Sequence, residues 1–402
     1  MSVQVPATIS EETVREISEK RNEPEWLLEQ RLAALDALDD LELPDVIKTP
    51  GRRWTDLESL DFEALVDPLD QSDETERVEA EGATVLSFVD ALAEHEELVR
   101  EHFGSIVDPE ENYLTALSAA LFTTGTVVYV PEGVEAEDIT IRAEMNSRSL
   151  FSQTLVITEK SASATILESI ESGEDVEGDR YFSNIVEVVA GENSYVQFGS
   201  LQNLDQETYH VTLKRAVTDT YANANWIEGN IGSRLTRSDV ETQLEGDGSE
   251  TKIVGAFFGH EDQHLDVNAR VWHRAEHTTA DLVTRGVLDD VARSVYEGVQ
   301  DVGEGAWNTS SYQRENTLML SDDSEADASP KLIIKNHDTE ASHSATVGQV
   351  DQEDLLYMTS RSIDPNTARN MLVEGFFVPV FEEIDVEDFR DDLSDLIIAR
   401  LD

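Results

Sequence analysis

The chain has 402 residues, enough for one large domain with appendages or for two to three ordinary ones, and its 39% apolar content argues against global disorder. Its 85 acidic and 29 basic residues give a net charge of −56 spread through every segment, which excludes nucleic-acid backbone as a partner because such binding needs basic stripes. With no cysteine the chain has neither disulfides nor thiolate metal sites, and no run of 18 apolar residues is present to span a membrane.

Only seven of the basic residues are lysines. At molar salt the Debye length falls to about 3 Å and self-repulsion is largely screened, so the composition fits a salt-adapted protein of haloarchaeal type. The opening M-S-V-Q-V-P-A-T-I-S-E-E lacks the positive and apolar regions of a signal peptide, and a cytoplasmic location is expected. Against this background a cluster of Asp and Glu reads first as solvated surface.

Residues 1–122 are predicted as a helical region. Ser10 caps a segment carrying Val14 and Ile17, and Pro24 opens one whose Trp26, Leu27, Leu28, Leu32, Leu35 and Leu38 share a face. Residues 43–80, with most of the early prolines and the acidic run D-Q-S-D-E-T-E, are predicted as a linker. Val85, Phe88, Val89 and Leu92 begin another helix, and Leu114, Leu117 and Leu121 a further short one.

From 123 to 346 the pattern is strand-like. Runs such as T-V-V-Y-V, N-I-V-E-V-V, Y-H-V-T-L and K-L-I-I alternate with short polar connectors such as E-G-D-G-S-E. No strict repeat is visible, so an extended barrel, two sandwiches and a solenoid all stay open. Residues 347–402 return to helix. Asp364 and Pro365 form a cap and first turn, and Asp385 is expected to cap a last helix whose Val386, Phe389, Leu393, Leu396, Ile397 and Leu401 make one apolar stripe. That stripe packs on the chain's own core or, in the sharper reading, docks a partner through Phe389, Leu393, Leu396 and Ile397.

Two histidine pairs, His260/His264 and His273/His277, are spaced four apart. On a strand each pair lies about 13 Å apart, too far to share a metal, and neither forms H-E-x-x-H. No G-x-x-x-x-G-K-[ST] phosphate loop is present, so any ATP hydrolysis belongs to a partner. Asp289, Asp290 and Asp301 offer a carbohydrate-processing alternative, which is weak among so many carboxylates.

Several motifs then occur in order. They are E-P-E-W-L-L-E-Q-R-L-A-A-L from Glu23, R-R-W-T-D-L from Arg52, and A-L-S-A-A-L-F-T-T-G-T-V-V-Y-V-P-E-G-V from Ala116. H-R-A-E-H-T-T from His273, R-G-V-L-D-D-V-A-R-S-V-Y-E-G from Arg285, T-S-S-Y-Q-R-E-N-T-L-M-L from Thr309 and E-A-S-H-S-A-T-V-G-Q-V-D from Glu340 follow. Together they resemble the SufB/SufD family of iron–sulfur cluster assembly scaffolds, and most of all its SufD branch.

The resemblance implies a mainly β fold, with a right-handed parallel β-helix core over 123–346 flanked by N-terminal and C-terminal helical regions. It implies a non-catalytic subunit that pairs with a SufB-type paralogue and binds a SufC-type ATPase through its C-terminal helices; a homodimer stays open. It makes His264, His273 and His277 hydrogen-bonded rung or turn residues. Where SufD reads Cys-x-His-Gly-Ala-Thr, this chain has Ala341, His343, Ser344, Ala345 and Thr346. Iron clusters accept imidazole, so His343 is the candidate iron–sulfur cluster ligand at the heterodimer interface. Without thiols the chain alone holds no stable cluster, and iron or a transient cluster is expected in the complex. A SufB-like role without the thiol and a purely structural solenoid are the alternatives.

Overall fold

The computed structural model describes residues 8–50, 52–78, 80–173, 176, 178–384 and 386–401. From Thr124 to Gln349 the strands wind as a parallel β-solenoid of about eight turns. Successive strands alternate between two sheets, and each pairs in parallel with the strand one turn away. The strand-rich block is therefore a solenoid rather than a barrel or a pair of sandwiches. The offset between stacked residues varies from 26, at Tyr209 over Leu235, to 32, at Arg293 over Glu325, which hides the repeat in the sequence.

Side chains alternate in and out along each strand, so residues in register stack in columns along the axis. One inward column runs Ile139, Ile166, Phe198, Trp226, Ile253 and Leu282, each at most 2% exposed. A corner of each turn is set by a residue in the left-handed region, among them Ser161, Asn193, Tyr221, His277 and Asn308, with φ between 55° and 61°. For a residue with a Cβ this conformation costs about 1–2 kcal/mol. It aims the backbone N–H at the neighbouring turn, as in Ser161 to Glu192 O (2.8 Å) and His277 to Trp307 O (2.8 Å), which offsets the cost.

The N-terminal end is closed. Strands Asp73–Val78 and Thr84–Ser87 add antiparallel to the first rungs, Glu135–Met145 and Thr124–Val130. The acidic run expected within a linker is thus an edge strand, and 43–80 also holds a short strand pair at Lys48–Thr49 and Arg52–Arg53 and a helical turn at Phe62–Leu65. Helices Glu11–Arg21, Glu25–Ala37 and Tyr113–Leu121 pack above. Arg31, 1% exposed, joins them by an ion pair to Glu23 (2.7 Å) and by bonds to the carbonyls of Ala120 and Phe122 that the last helix leaves free.

Three helices follow the last strand: Gln352–Ser360, Pro365–Phe381 and Glu387–Ala399. Asp364 caps the second, accepting from the Asn366 N–H at 2.9 Å, while the expected cap Asp385 lies outside the described residues. The apolar stripe of the third lies against the outside of the solenoid. Phe389, Leu393 and Ile397 are buried and Leu396 is half-buried. Two outward glycines make room: a Cβ at Gly199 would sit 3.1 Å from Phe389, and one at Gly229 would sit 3.1 Å from Leu393. The reading of these four residues as an open docking face is corrected accordingly, because Phe389, Leu393 and Ile397 are buried against the chain's own sheet and only Leu396 keeps part of its surface.

Candidate functional site

The apolar column described above does not reach the end of the solenoid. After Leu282 its next member is Gln313, and the last is His343, in register on the final strand Thr339–Gln349. His343 therefore faces the solenoid axis and is exposed only because no further rung covers it. The final strands of both sheets, Glu325–Ile334 and Thr339–Gln349, pair on one side only; the first is largely half-buried and the second mostly exposed, with Ile333, Ile334 and Val347 each at least 40% accessible. Such edges are open to another chain.

Below His343 the interior is polar. Gln313, 1% exposed, lies 3.3 Å from the Tyr296 hydroxyl, and its amide fills space that only glycine leaves. A Cβ at Gly298 would fall 1.7 Å from Gln313 Nε2. One column over, Glu315 is 1% exposed and stacks beneath Ala345. It accepts from the Thr317 hydroxyl, and burial pushes its carboxyl up to about 7.

Glu315 is the last polar member of a column that also holds Glu168, Ser200, Glu228 and Thr284, all buried inside the solenoid. Glu168 accepts from Asn184 (3.1 Å) and Ser200 (3.0 Å), and Glu228 is paired with Lys214 (2.7 Å). Burial raises both carboxyls, against the opposing pull of Lys214. Sequence reasoning missed this seam. Its glutamates are indistinguishable from surface carboxylates until the register places them inside.

The histidines of the two four-spaced pairs all make hydrogen bonds within the fold. His264 Nε2 lies 3.0 Å from Thr55 Oγ1, His273 is held between Thr278 (2.8 Å) and Ser311 (3.3 Å), and His277 occupies a left-handed corner beside Asn308. His260 contacts Gln263 at 2.7 Å. Among the described residues no group of three or more His, Cys, Asp or Glu converges as a metal site. Asp290 binds the Glu261 N–H of a neighbouring corner. Burial alone would raise the Asp301 carboxyl, but hydrogen bonds from Arg274 and Lys335 hold it below the usual range, so it is not poised as a general acid. Among the described residues no helix is long and apolar enough to cross a membrane.

Comparison with known proteins agrees with this geometry. Residues 140–376 match the SUF system FeS cluster assembly SufBD core domain, and residues 55–141 match the SufBD protein N-terminal region. Iron-sulfur cluster assembly protein SufD of Bacillus subtilis is 29% identical over 439 residues, spanning the full length of both chains. Iron-sulfur cluster assembly protein SufB of the same organism is 27% identical, over 94% of this chain and 90% of its own. An iron-sulfur cluster assembly SufBD family protein of Staphylococcus epidermidis is 27% identical over the same shares.

Proposed function

The chain belongs to the SufB/SufD family of SUF iron–sulfur cluster assembly proteins and is most like SufD, and from that premise we propose that it is a non-catalytic, cytoplasmic scaffold subunit pairing with a cysteine-bearing SufB-type paralogue. The observation that carries this reading is the inward-facing His343 on an uncovered final rung flanked by two unpaired strand edges. A second solenoid seated there would complete both sheets and bring thiolates to a site whose own chain has none. Iron or a nascent cluster is the cargo of that junction, with His343 as this subunit's ligand and no stable cluster on the isolated chain.

The C-terminal helices supply the second contact. Helix Gln352–Ser360 buries none of its residues, and Leu356 and Tyr357 are 69% and 61% exposed, with Met371 of the next helix 49% exposed. These apolar side chains, rather than the buried stripe, are the docking face we assign to a SufC-type ATPase. Co-expression of the three chains tests the assembly. A ternary complex should purify, and Leu356→Glu with Tyr357→Glu should remove the ATPase while leaving the paralogue bound. An unaltered complex in that double variant would refute the docking face.

A further inference from the structure

We propose that Pro330 keeps two copies of this chain from pairing through their terminal rungs, so that this end of the solenoid is fitted to a different partner. The inference rests on the pairing with a SufB-type paralogue given above. Among the described residues, Glu325–Ile334 is the only solenoid strand between Thr124 and Gln349 that contains a proline. It is also the last strand of its sheet. Successive residues of a strand aim their N–H and C=O groups alternately at the two neighbouring strands. Glu325 donates to the Ala292 carbonyl (3.1 Å) and Lys335 to that of Val302 (3.0 Å), with an unbroken register between them. The odd-numbered residues therefore face the rung below, and Ala326, Ala328, Pro330, Leu332 and Ile334 face the open side. Pro330 thus takes nothing from its own ladder, and it removes a donor at the place where a further strand would be added.

The edge of the other sheet has no such gap. Thr309 donates to the Asp338 carbonyl (3.2 Å), so the even-numbered residues of Thr339–Gln349 face the rung below. Thr339, Ala341, His343, Ala345 and Val347 present their N–H groups outward. A second copy of this chain would pair about a two-fold axis, which makes every contact twice. Whichever terminal strands it joined, a carbonyl of each copy would be buried opposite the other's Pro330. A paralogue with no proline at the matching position meets the gap once. Self-pairing would also bring two copies of His343 together with no thiolate at all. Proline on an edge strand is one of the ways in which proteins refuse unwanted strand partners.

Sedimentation equilibrium of the full chain, alone and with the paralogue at one fixed potassium chloride concentration, tests this for wild type and Pro330→Ala. One buried carbonyl left unbonded weakens association by about tenfold. Closing two gaps in Pro330→Ala should therefore tighten self-association about hundredfold, while closing one should tighten binding to the paralogue only about tenfold. Adding Ala341→Pro, at a position whose N–H also faces the open edge, should cancel the gain in self-association. Unchanged or undetectable self-association in Pro330→Ala would overturn the proposal, as would equal gains for the two partners. A gain that survives Ala341→Pro would place self-association elsewhere on the chain and overturn it as well. A paralogue that binds neither wild type nor Pro330→Ala, with self-association still raised in the variant, would instead defeat the pairing given above and leave the effect of Pro330 on the edge.

Discussion

Lys214 and Glu228 form a 2.7 Å ion pair inside the solenoid, with side chains only 2% and 3% exposed. Among the described residues no other cation pairs with Glu228, so removing the lysine leaves a desolvated carboxylate among polar groups already short of partners. Lys214→Met should lower stability by about 3–5 kcal/mol, and the double variant with Glu228→Gln should recover most of the loss. Denaturant melts followed by circular dichroism check this; equal losses in the single and double variants would show that packing, not charge, is the cause.

Acid should destabilise the fold through its buried histidines. Burial holds His264 and His273 down to about 4, against about 6.5 for the unfolded chain. The native state keeps these rings neutral, so the unfolded chain binds more protons in between. Their contribution is complete above pH 6.5 and is lost as pH falls towards 4, by roughly 3 kcal/mol per histidine. Melting curves of wild type and His273→Gln should converge on acidification through that window. Curves that stay parallel would mean that His273 is protonated in the fold.

Stability should also depend on salt. The net charge of −56 repels itself throughout and is balanced only locally, as where Arg215 bridges Glu111 and Glu241 and Arg270 bonds Glu297. The melting temperature should climb steeply from about 0.1 to 3 M potassium chloride as the Debye length shrinks. A flat response would contradict the salt-adapted reading.

The C-terminal stripe gives a packing test. Phe389→Ala or Leu393→Ala empties a contact with the Gly199 and Gly229 surface and should cost about 2–5 kcal/mol. The helices should then detach before the solenoid melts, which limited proteolysis would report as early cleavage after Gln349. Leu356→Glu, at an exposed position, should leave this cleavage pattern unchanged.

What the sequence made legible follows from local chemistry. The Ser10 and Asp364 caps, the Trp26 helix and the strand content of 123–346 all depend on neighbours within a turn or two, and all are found. The solenoid axis is not local. Ile139 and His343 belong to one column only through seven register steps of unequal length, and the left-handed corners at Ser161, Tyr221 and His277 share no residue type. The stripe through Phe389 declared an amphipathic helix, but periodicity cannot say whose surface it meets. Asp73–Val78 hid as a linker because an acidic edge strand over a capped end needs few apolar residues. At the site, the motif singled out His343, whereas Glu315 emerged only once stacking placed it within the same lumen.

The measurement that bears most directly on this account is the iron and acid-labile sulfide content of the complex with the cysteine-bearing paralogue, reconstituted anaerobically with wild type, His343→Ala and His343→Gln. Because His343 is an uncovered residue at the end of its column, both variants should fold and assemble normally. The account predicts that both lose most of the iron, since an amide keeps the polarity of imidazole but ligates iron poorly. Full iron and sulfide loading in His343→Gln would contradict it and make His343 a structural residue of the interface.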